Sequence, residues 1–159
     1  MDVPEPNRPS LSGYINAGKL LSWRWVDARM APARNYWVTT RSTGYPSSRP
    51  VWGLWRDARL YFSTGSAMVR NIARDSRVQV NLESADELVI IEGHAAQMDA
   101  SDLEFWIRAY REKYETDMPE STDGVYVVNP RRVLAWMVDP TGRDGGVLFS
   151  NTATEWKFG

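Results

Sequence analysis

What most constrains this chain is the spacing of its β-type segments. Seven short runs rich in β-branched and aromatic residues follow one another, and turn signals separate most of them. The runs are 35–41 (NYWVTTR), 47–55, 59–63 (RLYFS), 77–82 (RVQVNL), 88–97, 124–129 and 131–138. Ser42 to Pro46 (STGYP) reads as a turn, and Arg56-Asp57-Ala58 as a tight connection. The centre of the fifth run, Leu88-Val89-Ile90-Ile91, reads as doubly buried, and Asn129-Pro130 separates the last two runs. A parallel α/β sheet requires strand and helix to alternate strictly, and that alternation is absent. The pattern predicts a mainly β fold with peripheral helices, a small antiparallel barrel of six to seven strands.

Helical signals are few. Residues 20–34 carry apolar positions at loose helical spacing, and Pro32 ends that helix near Met30. Ser66 is placed to cap a short helix running to about Arg74, with Val69, Ile72 and Ala73 on one face. Ser101 to Tyr114 is the clearest helix. Ser101 and Glu104 form a capping-box pattern, and Leu103, Trp106, Ile107, Tyr110 and Tyr114 make one apolar stripe. Residues 1–19, with three prolines and two glycines, read as an irregular arm. Residues 20–159 form a single domain, ending in a loop (DPTGRDGG, 139–146) and a short tail, 149–158, with apolar points.

Composition removes several classes of function. There is no cysteine and one histidine, His94, so thiolate chemistry and a multi-histidine metal site are disfavoured. His94 in a strand reads as paired with a neighbouring polar group. A net charge of -1 gives no reason to expect a nucleic-acid partner. No apolar run is long enough for a bilayer and none resembles a secretory signal, so a cytoplasmic protein without membrane contact is expected. Eight tryptophans stand out. Trp106, on the helical stripe, belongs to the core. Trp52 and Trp55 fall on opposite faces of one strand. Trp156 sits in the tail with little else to bury it and is the best placed to line a groove.

Two local features suggest ligand chemistry. Ser63-Thr64-Gly65-Ser66 leads from a strand into a helix start, where free N–H groups favour anions, and Arg70 follows one turn later. Arg49 interrupts an otherwise apolar stretch, Arg49-Pro50-Val51-Trp52-Gly53, and must find a partner or reach solvent.

These segments together resemble the flavin- and deazaflavin-dependent split β-barrel oxidoreductases, the pyridoxamine 5'-phosphate oxidase-like superfamily with its FMN-binding split barrel. The likeness starts in residues 35–41, Gly44-Tyr45-Pro46 and 49–55. It continues through 60–65, Arg70-Asn71-Ile72-Ala73, 77–83, 89–93 and Lys113-Tyr114, and ends in 153–158. Order and spacing carry it rather than any one motif, and they are most similar to the branch that uses the deazaflavin coenzyme F-420. The resemblance implies a homodimer of split barrels with the cofactor, F-420 or else FMN, in a groove between subunits. Arg49, Pro50, Val51 and Trp52 would run along the ring edge. Ser63, Thr64, Ser66, Arg70 and Asn71 would hold the phosphate, and Trp156 would approach the ring. No catalytic acid or base is implied, because the cofactor carries the hydride chemistry to a small conjugated or quinone-like substrate. Substrate loops would be 114–123 and 139–146.

The chain also departs from the family pattern. The family usually has a basic residue in the pattern Ser-x-Lys or Ser-Arg-Lys at this helix start, where Ser66-Ala67-Met68 stands here. It commonly has histidine at the position of Ser47 and arginine at that of Glu155. The residues that grip pyridoxal phosphate in the true oxidase have no counterpart, so that activity is not expected. The alternative is a non-catalytic split barrel with a degenerate cofactor phosphate site, binding another flat ligand such as a tetrapyrrole or serving as a scaffold.

Overall fold

The structure, a computed structural model, describes residues 1–10 and 18–159, with the Ser66 side chain left out. The portion of the predicted arm at 11–17 lies outside the described residues. Eight strands form one antiparallel sheet in the order β2-β1-β5-β6-β7-β4-β3, and β8 joins it on β7. They are β1 (Tyr36–Thr40), β2 (Ser47–Val51), β3 (Gly53–Arg56), β4 (Arg59–Ser63), β5 (Arg77–Asn81), β6 (Glu87–Gln97), β7 (Val125–Met137) and β8 (Thr154–Lys157). Among the described residues four α-helices accompany them: α1 (Trp23–Met30), α2 (Ser66–Arg74), α3 (Leu103–Tyr114) and α4 (Val147–Thr152).

The run at 47–55 is two strands rather than one. β2 and β3 lie at opposite ends of the sheet order, yet only Trp52 separates them in sequence. The sheet must therefore curl until its two edges meet. The barrel is closed there by the covalent chain and not by a hydrogen-bonded ladder, which is what splits it. Gly53 makes the close approach possible, because a Cβ there would sit 2.5 Å from the Tyr61 carbonyl oxygen.

The two runs on either side of Asn129-Pro130 are one strand, β7. Its first half pairs with β4 (Val125 to Val128) and its second with β8 (Arg132 to Ala135), while β6 pairs along its length. Pro130, which lacks an N–H, stands where the partner changes, so the missing donor breaks neither ladder. Opposite it the β6 register shifts between Glu92 and Gly93, and a Cβ on Gly93 would lie 2.3 Å from the Asn129 carbonyl oxygen. The tail at 149–158 proves to be α4 and β8.

Burial follows the pleat. Val38, Val80, Val89, Ile91, Val133 and Trp156 fill the barrel, closed by Met30 from α1 and by Met68 and Ile72 from α2. β6 alternates rather than being doubly buried: Leu88 and Ile90 lie half-buried on the outer face. The buried face of α2 is Met68, Asn71 and Ile72, and Ala73 is exposed. A second core lies outside the barrel, where Trp106, Tyr110 and Tyr114 of α3 pack on Leu54, Tyr61 and Val127. The caps also differ from the pattern. Gly65 is the N-cap of α2, and the Asp99 carboxylate accepts the Ser101 N–H at 2.8 Å ahead of α3. The arm is pinned at its start, since Asn7 and Glu155 exchange backbone hydrogen bonds of 2.8 and 2.7 Å. Arg8 donates to the carbonyl oxygens of Asn151 and Ala153.

Candidate functional site

β2 is an edge strand paired only with β1. In an antiparallel strand both backbone groups of a residue point to the same side, and successive residues alternate. Pro50 cannot donate to β1, so it belongs on the free side together with Ser48. The Ser48 carbonyl confirms this parity: it accepts a 2.8 Å hydrogen bond from the Arg49 guanidinium rather than from β1. The strand expected to meet the ring edge therefore has a free polar edge, and Arg49 and Pro50 are exposed on it. Val51 is buried in the barrel.

Trp52, at the split, stacks on Tyr114 with centroids 4.7 Å apart and planes 1° from parallel. The Arg34 guanidinium lies over the same indole, 5.1 Å from its centroid. Tyr114 continues into Tyr110 (4.7 Å) and Tyr110 into Trp106 (4.8 Å), forming an aromatic column from the surface to the second core. The Tyr114 hydroxyl accepts the Gly53 N–H at 2.8 Å and lies 2.8 Å from the carbonyl oxygens of both Gly53 and Arg34. Lys113 Nζ donates to the Gly53 carbonyl at 2.9 Å and to the Tyr36 hydroxyl at 3.0 Å. Burial favours the neutral amine and pulls the Lys113 pKa down to about 8. The same cause raises the phenols of Tyr36, Tyr110 and Tyr114. Gly53, the first residue past the split, is thus clamped through both its N–H and its carbonyl by a tyrosine and a lysine from the end of α3.

The expected phosphate residues lie on the adjoining turn. The Ser63 hydroxyl approaches that of Tyr110, whose ring is 6.4 Å from Trp52, so the column links Ser63 to the split. Thr64 is held by its N–H donating to the Gly124 carbonyl at 2.9 Å. Ser66 is the first helical residue, and its side chain lies outside the described part. Arg70 is exposed and makes no ion pair among the described residues, whereas Arg41 and Arg77 both engage Asp75. Asn71 is 9% exposed and donates to the Thr40 hydroxyl at 3.0 Å, a buried bond that ties α2 to β1. Met68 points into the core, so the position where the family pattern expects a cation contributes apolar packing.

Trp156 requires a correction. It is not poorly covered but fully buried, paired across the ladder with Val133 and edge-on to Trp23 at 5.3 Å. A ring with no exposed surface touches no ligand in this conformation. Glu155 is also buried, and its charge is answered locally by Arg132 at 2.5 Å and Lys157 at 3.1 Å. His94 hydrogen-bonds Ser76 at 2.9 Å, as its strand position suggested. Sequence reading missed Arg34 altogether and took Lys113-Tyr114 only as a resemblance. No local pattern announces a guanidinium stacked on an indole eighteen residues away.

Solved structures share this architecture. An F420 reductase aligns at 17% identity with a TM-score of 0.53, over 67% of this chain and 94% of its own. A FAD-binding protein from Mesorhizobium loti aligns at 12% identity and TM-score 0.58, over 87% and 96%. A heme-binding protein from Mycobacterium smegmatis aligns at 20% identity and TM-score 0.52, over 65% of this chain and 49% of that one. At such identities the likeness is one of fold. No curated protein matches the sequence. The family profile described as Pyridoxamine 5'-phosphate oxidase spans residues 26–137, from α1 through the last residue of β7, and so takes in both the split and the β4–α2 turn. By that match this split barrel belongs to the pyridoxamine 5'-phosphate oxidase family.

Proposed function

We propose that the chain is a cytoplasmic reductase that binds a flavin-type cofactor, F-420 in preference to FMN, along the free edge of β2. The observation that carries this reading is the split itself. An unpaired strand edge with Pro50 turned outward lies beside a strand-to-helix turn lined by Ser63 and Thr64. The residues fit such a group. The β2 edge offers backbone acceptors to a ring, and the space above Gly65 is open, with no atom within 4 Å of a Cβ built there. The N–H groups at the start of α2 and exposed Arg70 favour a phosphate. When bound, the cofactor ring supplies the hydride chemistry for a small conjugated or quinone-like acceptor. The protein holds the ring by its edge and shields it from water. A second copy completes the groove, bringing together outer-face residues such as Trp37, Ile90 and Trp136, which are half-buried in the single chain. Light scattering that gave a monomer mass would remove that groove.

Titration with F-420 and with FMN, followed by tryptophan fluorescence, tests the reading. Micromolar quenching by F-420 is expected, and Arg70→Ala weakens it about tenfold, the lower end for a charge-assisted phosphate contact. A second reading has its own support in Met68, whose burial removes the expected phosphate cation, and in the heme-binding neighbour. On that reading the split barrel takes a tetrapyrrole or serves as a scaffold. Absorbance changes on titration with haem, without quenching by either flavin-type cofactor, would decide for it.

A further inference from the structure

We infer that Arg34 is an anion-recognition group at the barrel split, and that it selects flat conjugated substrates carrying a carboxylate or similar acidic group. This rests on the reading above, since it takes the groove beside Trp52 to be where substrate lies. Six of the sixteen arginines, Arg29, Arg41, Arg56, Arg77, Arg111 and Arg132, are already engaged by carboxylates. Arg34 meets none among the described residues; its guanidinium lies over Trp52, 5.1 Å from the ring centroid, and its charge also acts on the Tyr114 phenol.

That contact leaves the recognition chemistry free. A guanidinium held over an aromatic ring still carries N–H donors directed away from that ring, and these match a carboxylate bidentately. The geometry is also held in place. The Tyr114 hydroxyl bonds the Arg34 carbonyl at 2.8 Å, and the Tyr114 ring stacks on Trp52. One tyrosine therefore fixes both the backbone of Arg34 and the platform under its side chain. Lys113, on the other side of Gly53, is a second cation with no carboxylate partner among the described residues, and it adds positive potential at the same notch. Trp52 is 36% exposed, so the notch opens to solvent and a ligand can reach it.

The test uses the full chain and two probes that share one ring system, anthraquinone-2-carboxylate and 2-(hydroxymethyl)anthraquinone, with binding read by equilibrium dialysis. The acid is expected to bind about tenfold more tightly, the lower end of a charge-assisted contact because the site is partly exposed. The preference falls as ionic strength rises. Arg34→Gln brings the two affinities together while leaving FMN and F-420 affinity and the melting curve unchanged. Equal binding of the two probes by the unaltered chain, or a preference insensitive to salt, overturns the inference even if the variant fails to fold. If Arg34→Gln instead weakens FMN or F-420 by a similar factor, the acid recognised is the cofactor's own and the substrate assignment falls. Failure of the cofactor reading is separate: it shows as no FMN or F-420 binding, whatever the probe ratio.

Discussion

Two tryptophan-rich regions of this barrel have opposite characters. On the closed wall, Trp156 is fully enclosed, with Trp23 edge-on to it and Phe158 packed on Trp23 at 5.6 Å, and its indole nitrogen has no hydrogen-bond partner. At the split, Trp52 keeps a third of its surface in solvent and is surrounded by a tyrosine, an arginine and a lysine-clamped peptide. The difference follows from how each edge is satisfied. β8 completes its ladder with β7 and is covered by the arm, so Trp156 has only the core to face. The β2–β3 junction has no ladder across it, so its polar backbone must be met by side chains from α3. Groove chemistry belongs where the ladder fails.

The largest predicted effect tests the closed wall. Trp156→Ala should cost about 3–5 kcal/mol of stability, the range for emptying a fully packed aromatic site, measured by urea unfolding. Trp52→Ala should cost only about 1 kcal/mol, since it loses chiefly one stacked pair and some exposed area. Similar costs for the two would break the comparison. Glu155→Ala is expected between them, at about 2 kcal/mol. Its carboxylate is 3% exposed, but Arg132 and Lys157 are 34% and 70% exposed and stay solvated when it is removed.

How far the sequence revealed this contrast depends on which signals are local. Residues 35–41, 59–63 and 77–82 read correctly because alternation within one strand is a local property. The split did not: Val51-Trp52-Gly53 alternates without interruption, and only the position of β3 across the sheet from β2 separates them. Pro130 misled in the other direction. It suggested two strands, but a partner change at that residue lets one strand continue. Trp156 looked uncovered because the strand that buries it reads as a tail of 149–158, and its partner Val133 is far away in sequence. The α2 face came out wrong for a similar reason. Asn71 turns inward to meet Thr40, thirty-one residues away, while Ala73 turns out. Of the expected site, the β2 edge and the β4–α2 turn were legible as motifs. Arg34, which touches Trp52 only through tertiary packing, was not.

The smallest predicted effect sharpens the contrast most, because it isolates the polar clamp. Lys113 titrates near pH 8 in the folded chain and near its ordinary value when unfolded. Below pH 8 both states are protonated, and the cost of half-burying the charge is fully present. Between pH 8 and about 9.5, below the tyrosine range, the unfolded chain binds more protons than the folded one, so stability rises with pH. Lys113→Met should therefore differ from the parent by an amount that changes with pH over that window. The parent gains relative to the variant as pH climbs, read as melting temperatures at fixed ionic strength. Tyr36 and Tyr114, whose phenols are raised by burial, act in the opposite sense once the unfolded chain reaches their ordinary range, which is why the comparison stops below it. A Trp156→Phe variant on the closed wall should show no such dependence, since the ring it alters has no titrating neighbour among its ring and ladder partners. If the melting difference between the parent and Lys113→Met were flat from pH 7 to 9.5, Lys113 would be an ordinary solvated surface lysine. The split would then be held by Tyr114 alone.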